Sequence, residues 1–168
     1  MAALLFNDPE MAEDFSTIED RDYMRSVDND LALSDVSSEC HDRGKVYGGF
    51  VWSCKKELMR LGIPDVQAAQ LMLGTMVMHA LYYEEARPSP EEFVSNMVKA
   101  ARSHLSREID ADVVESMAEF MHSQAQSREL VGSSWQLPPP GSENIAVVDE
   151  EGQDMGPSLA DALMLGAD

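Results

Sequence analysis

Four carboxylates are crowded into one short stretch near the start of the 168-residue chain. They are Asp8, Glu10, Glu13 and Asp14, within the sequence NDPEMAED. Hard oxygen ligands at this density suit calcium, because the ion takes about six to eight oxygens. A solvated acidic turn is the simpler interpretation of these residues taken alone. The stretch therefore carries a calcium hypothesis that needs support from elsewhere in the chain.

The cysteine and histidine side chains are few and poorly spaced for zinc. Cys40 and His41 are neighbours, and Cys54 follows fourteen residues after Cys40. This spacing matches no structural zinc motif. Cys54 also lies on an apolar stripe, where we expect a small core residue. The sequence thus predicts no zinc site in this chain.

The stretch from residue 41 to residue 62 combines a polar start with a helical pattern. We predict a polar turn at 41–44 and then a helix over 45–61, because apolar residues recur at three- and four-residue steps. Gly62 suits the left-handed backbone conformation with which many α-helices end. The pair Gly48-Gly49 costs about 1 kcal/mol per residue in helix propensity. Such a pair predicts that another backbone segment passes close to this helix.

Three further helices are predicted at 65–84, 90–105 and 111–124. The sequence Ser89-Pro90-Glu91-Glu92 reads as a capping box, in which Ser89 caps the helix and Glu92 reaches back. Asp110 is the predicted cap of the last helix. Helix boundaries of this kind leave only short connections between the elements.

The helix over 65–84 is predicted to be largely buried. Its apolar residues, including Val66 and Val77, run along most of its length. No strand pattern of comparable quality appears. Four helices joined by short loops predict an all-α helical bundle.

Charge divides the chain into three segments. The net charge of −19 is spread as −9 over residues 1–40, −3 over 41–130 and −7 over 131–168. We interpret these as an acidic and mostly irregular N-terminal segment, a helical bundle, and a proline-rich linker with an acidic tail. The acidic field argues against binding to nucleic acid or to an anionic membrane surface. The chain starts without a secretory signal, and its compartment is left open.

Four stretches, in order, resemble the C-terminal helical lobe of thermolysin-like zinc metallopeptidases, including the fungalysin branch. NDPEMAED resembles the acidic calcium segment of that family, and YMRSVDND resembles its Arg-Ser-Met stretch. HDRGKVYGGFVW resembles the start of the helix whose histidine faces the zinc ion. The stretch from residue 64 to residue 102 resembles the helix pair that follows. The resemblance covers roughly residues 7–123.

The resemblance implies roles for particular residues. His41 is implied to stabilise the oxyanion of the tetrahedral intermediate, and Arg25 is implied to hold a carbonyl of the substrate backbone. The four carboxylates of residues 8–14 are implied to form part of a calcium cluster. The family takes its other calcium ligands from upstream segments, so we expect weak calcium binding or none.

The chain differs from the family in lacking its zinc-binding motif. The zinc motif needs two histidines one helical turn apart with a glutamate between them, and the histidines at 41, 79, 104 and 122 do not supply it. We therefore expect a split, truncated or repurposed lobe that is catalytically incomplete. It would act with a zinc-bearing partner or as a binding module. The alternative is an acidic helical adaptor that docks to a larger assembly through its C-terminal tail.

Overall fold

Helices dominate the part of the chain that the computed structural model describes, which is residues 2–11, 25–80 and 88–142. The five helices are α1 (Ala2–Phe6), α2 (Cys40–Arg60), α3 (Asp65–Ala80), α4 (Pro90–Leu105) and α5 (Ala111–Ser127). A 3₁₀ turn spans Leu33–Asp35, and the two-residue strands β1 (Glu10–Met11) and β2 (Arg25–Ser26) pair antiparallel. The predicted all-α class is confirmed. None of the helices in these ranges is long and apolar enough to cross a membrane.

The four long helices enclose one hydrophobic core. α2 packs against α3 and α5, and α4 packs against α3 and α5, while the short α1 lies on α3. Phe93 is central, since its ring meets Tyr47 and Phe50 edge-on at centroid distances of 4.8 and 5.9 Å. Fully buried aliphatic side chains fill the space around these rings: Val46, Leu58, Met72, Val94, Met97, Val98, Leu105, Met117 and Met121. Cys54 is also fully buried, as predicted, and burial raises the pKa of its thiol.

Most predicted helix boundaries agree with the structure. α4 occupies residues 90–105 as predicted, and the Ser89 hydroxyl accepts the Glu92 N–H at 3.1 Å. Gly62 has the expected left-handed φ of 97°. Asp110 occupies the cap position of α5, but its side chain makes no capping hydrogen bond, so that prediction was only partly right. Residues 81–84, predicted as the end of α3, lie outside the described residues.

The predicted polar turn at 41–44 is wrong, because α2 begins at Cys40. Glu39 is the cap, and its carboxylate accepts the backbone N–H groups of His41 and Asp42. A negatively charged cap at this end is also favoured by the helix dipole. His41 therefore sits in the first turn of a 21-residue helix rather than in a loop before it.

α3 is less buried than predicted. Val66 and Val77 are 62% and 46% exposed. Eleven residues separate them, which is about three helical turns, so both lie on one face of α3. The opposite face packs on the core, and the outer face of α3 is left partly apolar.

The predicted close approach at the glycine pair is confirmed at Gly49. A Cβ atom built there would lie 3.0 Å from the Asn29 carbonyl oxygen and 2.5 Å from the Asn29 Oδ1. It would also lie 2.7 Å from Nη1 of Arg128. Only glycine leaves room on α2 for this crossing.

Arg128, directly after α5, is the largest fully buried side chain among the described residues. Its Nη2 donates to the Asn29 carbonyl at 2.6 Å and to the Ser53 hydroxyl at 2.9 Å, and its Nη1 donates to the Leu31 carbonyl at 3.2 Å. Burial lowers the pKa of the guanidinium. The residue thus ties the end of α5 to α2 and to the segment that precedes α2.

A second arginine holds the chain that follows α5. Arg102 forms a bidentate pair with Glu115, with nitrogen–oxygen distances of 2.9 and 2.8 Å, and its third nitrogen donates to the Pro138 carbonyl. Trp135 and Leu137 pack against the core nearby. Residues 131–138 therefore lie on the bundle.

The Gly49 crossing generates a prediction with a control on the same helix. Gly49→Ala should lower the free energy of unfolding by about 1–3 kcal/mol, because the new methyl group must displace buried groups. Gly44→Ala should instead raise it by up to about 1 kcal/mol, since no atom lies within 4 Å of a Cβ there. Urea unfolding of the two variants and the parent chain measures both. Equal changes in the free energy of unfolding for the two variants would contradict the close contact at Gly49.

His79 generates a prediction about pH. Its side chain is 3% exposed and its ring meets Phe93 edge-on at 4.9 Å. Burial lowers its pKa from 6.5 to about 4, so the folded chain binds this proton less tightly than the unfolded chain does. Its effect is absent above pH 6.5. Between pH 6.5 and about pH 4 the free energy of unfolding falls by up to about 3 kcal/mol, and it falls no further below that pH on account of this group.

His79→Gln removes the titrating group and should flatten the dependence of unfolding free energy on pH in that window. Urea unfolding at several pH values between 4 and 8 measures the slope for both chains. An unchanged slope in the variant would assign the acid sensitivity to another group.

Candidate functional site

The N-terminus of α2 presents Glu39, Cys40 and His41 together at the surface. Oε2 of Glu39 accepts the N–H groups of His41 at 2.8 Å and of Asp42 at 3.1 Å. These hydrogen bonds satisfy two of the backbone donors that every helix leaves unpaired at its start. They also fix the carboxylate, so that its other oxygen faces the neighbouring side chains.

The second carboxylate oxygen of Glu39 meets both the thiol and the imidazole. Nδ1 of His41 lies 2.6 Å from Oε1, and the Cys40 thiol donates to the same oxygen at 3.1 Å. The hydrogen bond from Cys40 and then that from His41 lower the pKa of Glu39 to about 2. The same contact raises the pKa of Cys40, which keeps the thiol protonated and poorly nucleophilic near neutral pH. Of the two side chains, the imidazole of His41 is therefore better suited to a chemical role than the thiol of Cys40.

An apolar groove of about 280 Å³ begins one helical turn beyond His41. Gly44 and Gly48 form its floor on α2, and the rings of Tyr47, Trp52 and Phe93 line it. Val27 closes one side, packed so closely on Gly48 that a Cβ there would lie 2.8 Å from its methyl carbon. The remaining lining residues come from α1, α2 and α3: Ala3, Leu4, Val51 and Met76.

Backbone hydrogen bonds join the stretch around residues 8–10 to the stretch around residues 25–27, and Asn29 joins this second stretch to the N-terminal half of α2. Ser26 pairs with Glu10 in the short ladder, and the Val27 N–H donates to the Pro9 carbonyl at 2.9 Å. The Asn29 side chain then donates to the Lys45 carbonyl on α2 at 3.2 Å. The three motifs, which follow one another closely in the sequence, are thus also neighbours in the fold.

The individual candidate residues have different outcomes. His41 is exposed in the first turn of α2, and the backbone of Arg25 lies in β2. Asp8 and Glu10 are exposed, and Asp8 accepts the backbone N–H of Glu10 at 2.9 Å. Glu13 and Asp14 lie outside the described residues. The calcium hypothesis and the two implied substrate contacts therefore remain predictions.

Glu39 is the residue that sequence reasoning missed. Within residues 2–11, 25–80 and 88–142, Glu39, Cys40 and His41 form the only group of three or more metal-ligating side chains whose donor atoms come close together. The available signal was an acidic residue two positions before a histidine. It was overlooked because the helix was expected to start later, and because glutamate is not among the preferred cap residues.

The arrangement offers one oriented imidazole beside an apolar groove. A carboxylate that holds one ring nitrogen of a histidine orients the ring and fixes which nitrogen carries the proton. The other nitrogen, Nε2, is then available for a ligand or substrate. No family model, curated protein or solved structure matches this chain.

The Glu39 carboxylate generates a prediction about acid stability. Its folded pKa of about 2 lies below the ordinary 4.5, so its stabilisation is complete above pH 4.5 and is lost as the pH falls towards 2. Glu39→Gln keeps an oxygen for the helix cap but removes the charge. The variant should have a lower Tm than the parent chain at pH 7.

The difference in Tm between the two chains should shrink as the pH falls from 4.5 to 2. Glu119→Gln, at an exposed position on α5, controls for the loss of one negative charge. A Tm difference that is the same at pH 7 and pH 2 would show that the charge of Glu39 is not used.

Proposed function

We propose that this chain is the helical lobe of a thermolysin-like metallopeptidase and is catalytically incomplete by itself. It contributes His41 and Arg25 to a composite site that a separate zinc-bearing half completes. The observation that carries the proposal is the placement of His41. Its imidazole is exposed, and Nδ1 is held by the carboxylate of Glu39, the residue that caps α2. His41 lies at the start of α2, the longest of the described helices, and beside an apolar groove.

The neighbourhood of the resembled motifs supports the same proposal. The stretch that resembles the calcium segment pairs with the stretch that resembles the arginine stretch, and this second stretch contacts the helix that resembles the histidine helix. A composite site requires this proximity. The carboxylates of Asp8, Glu10, Glu13 and Asp14 would be part of a calcium cluster completed by the partner.

His41 would act by hydrogen bonding rather than as a nucleophile. With Nδ1 directed at Glu39, a protonated ring presents Nε2–H to the oxygen on which negative charge develops. The carboxylate also offsets the positive charge of that ring. A donor that is already oriented stabilises this charge without reorganisation, which is the main advantage of an oxyanion site.

Zinc chemistry would come from the partner. In this enzyme class the metal polarises the scissile carbonyl and lowers the pKa of a bound water. The residues of this chain do not fit the family's zinc motif, since no His-Glu-x-x-His sequence is present. The lobe would therefore bind and orient a substrate but leave the generation of the nucleophile to the other half.

A zinc-bearing partner also needs a surface on which to dock. Phe6 at the end of α1 is 76% exposed, and Val66 and Val77 share the outer face of α3. Apolar side chains exposed along one helix face can form part of a surface that another protein covers. This surface supports a protein partner for the lobe.

The purified chain with added zinc should not cleave peptides, because the chain lacks the His-Glu-x-x-His motif that supplies both the metal ligands and the glutamate base of this family. Addition of a second polypeptide that carries a zinc-binding helix should produce activity. In that complex, His41→Ala should lower kcat by about 10²–10³-fold, the usual cost of removing one oxyanion donor. The rate at which a fluorogenic peptide is hydrolysed measures the activity of the isolated chain, of the complex and of the complex with His41→Ala.

Ser38→Ala, at the exposed residue directly before Glu39, is the control and should leave the rate unchanged. Metal-dependent cleavage by the isolated chain would overturn the proposal. So would a working complex that is indifferent to His41→Ala. Capture of an assembly by residues 131–168 alone would favour the acidic adaptor instead.

A further inference from the structure

Three different metal ligands converge on one point at the start of α2. Oε1 of Glu39 lies 2.6 Å from Nδ1 of His41 and 3.1 Å from Sγ of Cys40. Sγ and Nδ1 are themselves 3.6 Å apart. Both the thiol and the imidazole thus point at the same oxygen rather than away from each other.

These separations can be compared with those in a tetrahedral zinc site. Zinc–sulfur and zinc–nitrogen bonds of about 2.3 and 2.1 Å place the two donor atoms about 3.6 Å apart, which is the observed distance between Cys40 and His41. The carboxylate oxygen would need to be about 3.4–3.6 Å from each of them. Oε1 of Glu39 must therefore move outward by less than about 1 Å, which a small rotation of the carboxylate provides.

The other donor atoms nearby are already used, which leaves this group of three separate. Oε2 of Glu39 is held by the backbone N–H groups at the helix start. The Asp42 carboxylate accepts from Ser37 at 2.6 Å and from Lys45 at 2.8 Å. A metal ion would therefore use Oε1 without removing the cap.

We propose that Glu39, Cys40 and His41 form a binding site for a zinc ion, with the fourth position taken by water or by a partner side chain. A thiolate and an imidazole select zinc over calcium or magnesium, which prefer oxygen ligands alone. The ion replaces the proton of the Cys40 thiol, which is released. In a neutral ring the proton on Nδ1 of His41 moves through solvent to Nε2, so one proton leaves for each ion bound. A ring protonated on both nitrogens also releases its Nδ1 proton, so two protons leave. The positive end of the helix dipole opposes the ion, and the carboxylate and thiolate charges offset it.

The sequence did not predict this site, because only cysteines and histidines were considered as ligands. Cys40 and His41 give two donors, and Cys54 is buried far from them in the core. Glu39 supplies the third donor only once α2 is seen to begin at residue 40.

Cobalt titration of the full chain under reducing conditions tests the proposal, because Co²⁺ substitutes for zinc and reports thiolate binding by a near-ultraviolet charge-transfer band. One Co²⁺ per chain should give this band, and added Zn²⁺ should abolish it. Cys40→Ser should weaken binding by at least about 10–100-fold, the loss that follows when even a supporting group of a metal ligand is removed. Cys54→Ser, which removes the buried thiol, should leave the band and the affinity unchanged.

Circular dichroism confirms that each variant is folded before titration. The absence of a band in the folded parent chain would overturn the proposal, and so would a band that survives in Cys40→Ser. The test needs no partner protein, so its failure leaves the composite peptidase site untouched. Conversely, a complex that hydrolyses peptides normally as Cys40→Ser would support the peptidase proposal alone.

Discussion

The buried guanidinium of Arg128 is the contact on which the rest of the fold depends. It donates to the carbonyls of Asn29 and Leu31 and to the hydroxyl of Ser53, and Gly49 leaves the space that it occupies. A buried cation without such partners would be strongly destabilising. The segment before α2 must therefore lie where its carbonyls can meet this cation. The groove wall formed by Val27 and the ladder that contains Arg25 belong to the same segment.

Several other cations among the described residues also pair with anions, some in the interior and some at the surface. Lys55 and Arg102 are almost fully buried and bind Asp65 and Glu115, so their pairs tie α2 to the start of α3 and α4 to α5. Lys45 and Lys56 pair with Asp42 and Asp28 at the surface, where such contacts contribute little to stability. Acidic residues outnumber basic ones by 31 to 12, so the chain as a whole carries a strong negative charge. A field of this sign attracts basic surfaces and repels acidic ones.

Sequence reasoning predicted the helices well and the site only in part. Apolar periodicity, the Ser89 cap and the Gly62 stop are local signals, and they placed the start of α3 and both ends of α4 and α5 within a few residues. The start of α2 was missed because its cap is a glutamate, a residue with little cap preference of its own. The role of Arg128 could not be predicted, since nothing in its local sequence shows that carbonyls almost one hundred residues earlier will surround it. The glycine pair did predict a close crossing, but not which segment crosses there.

The Arg128 contact also has a consequence for the order in which the chain acquires its structure during synthesis. Asn29 and Arg128 are 99 residues apart. At about 5–20 residues per second, Arg128 is made roughly 5–20 s after Asn29. Through this interval the segment before α2 has no guanidinium to hold its carbonyls, although α2 itself can already form. The neighbourhood of His41 is therefore the earliest part of the bundle to be translated and among the last to be completed.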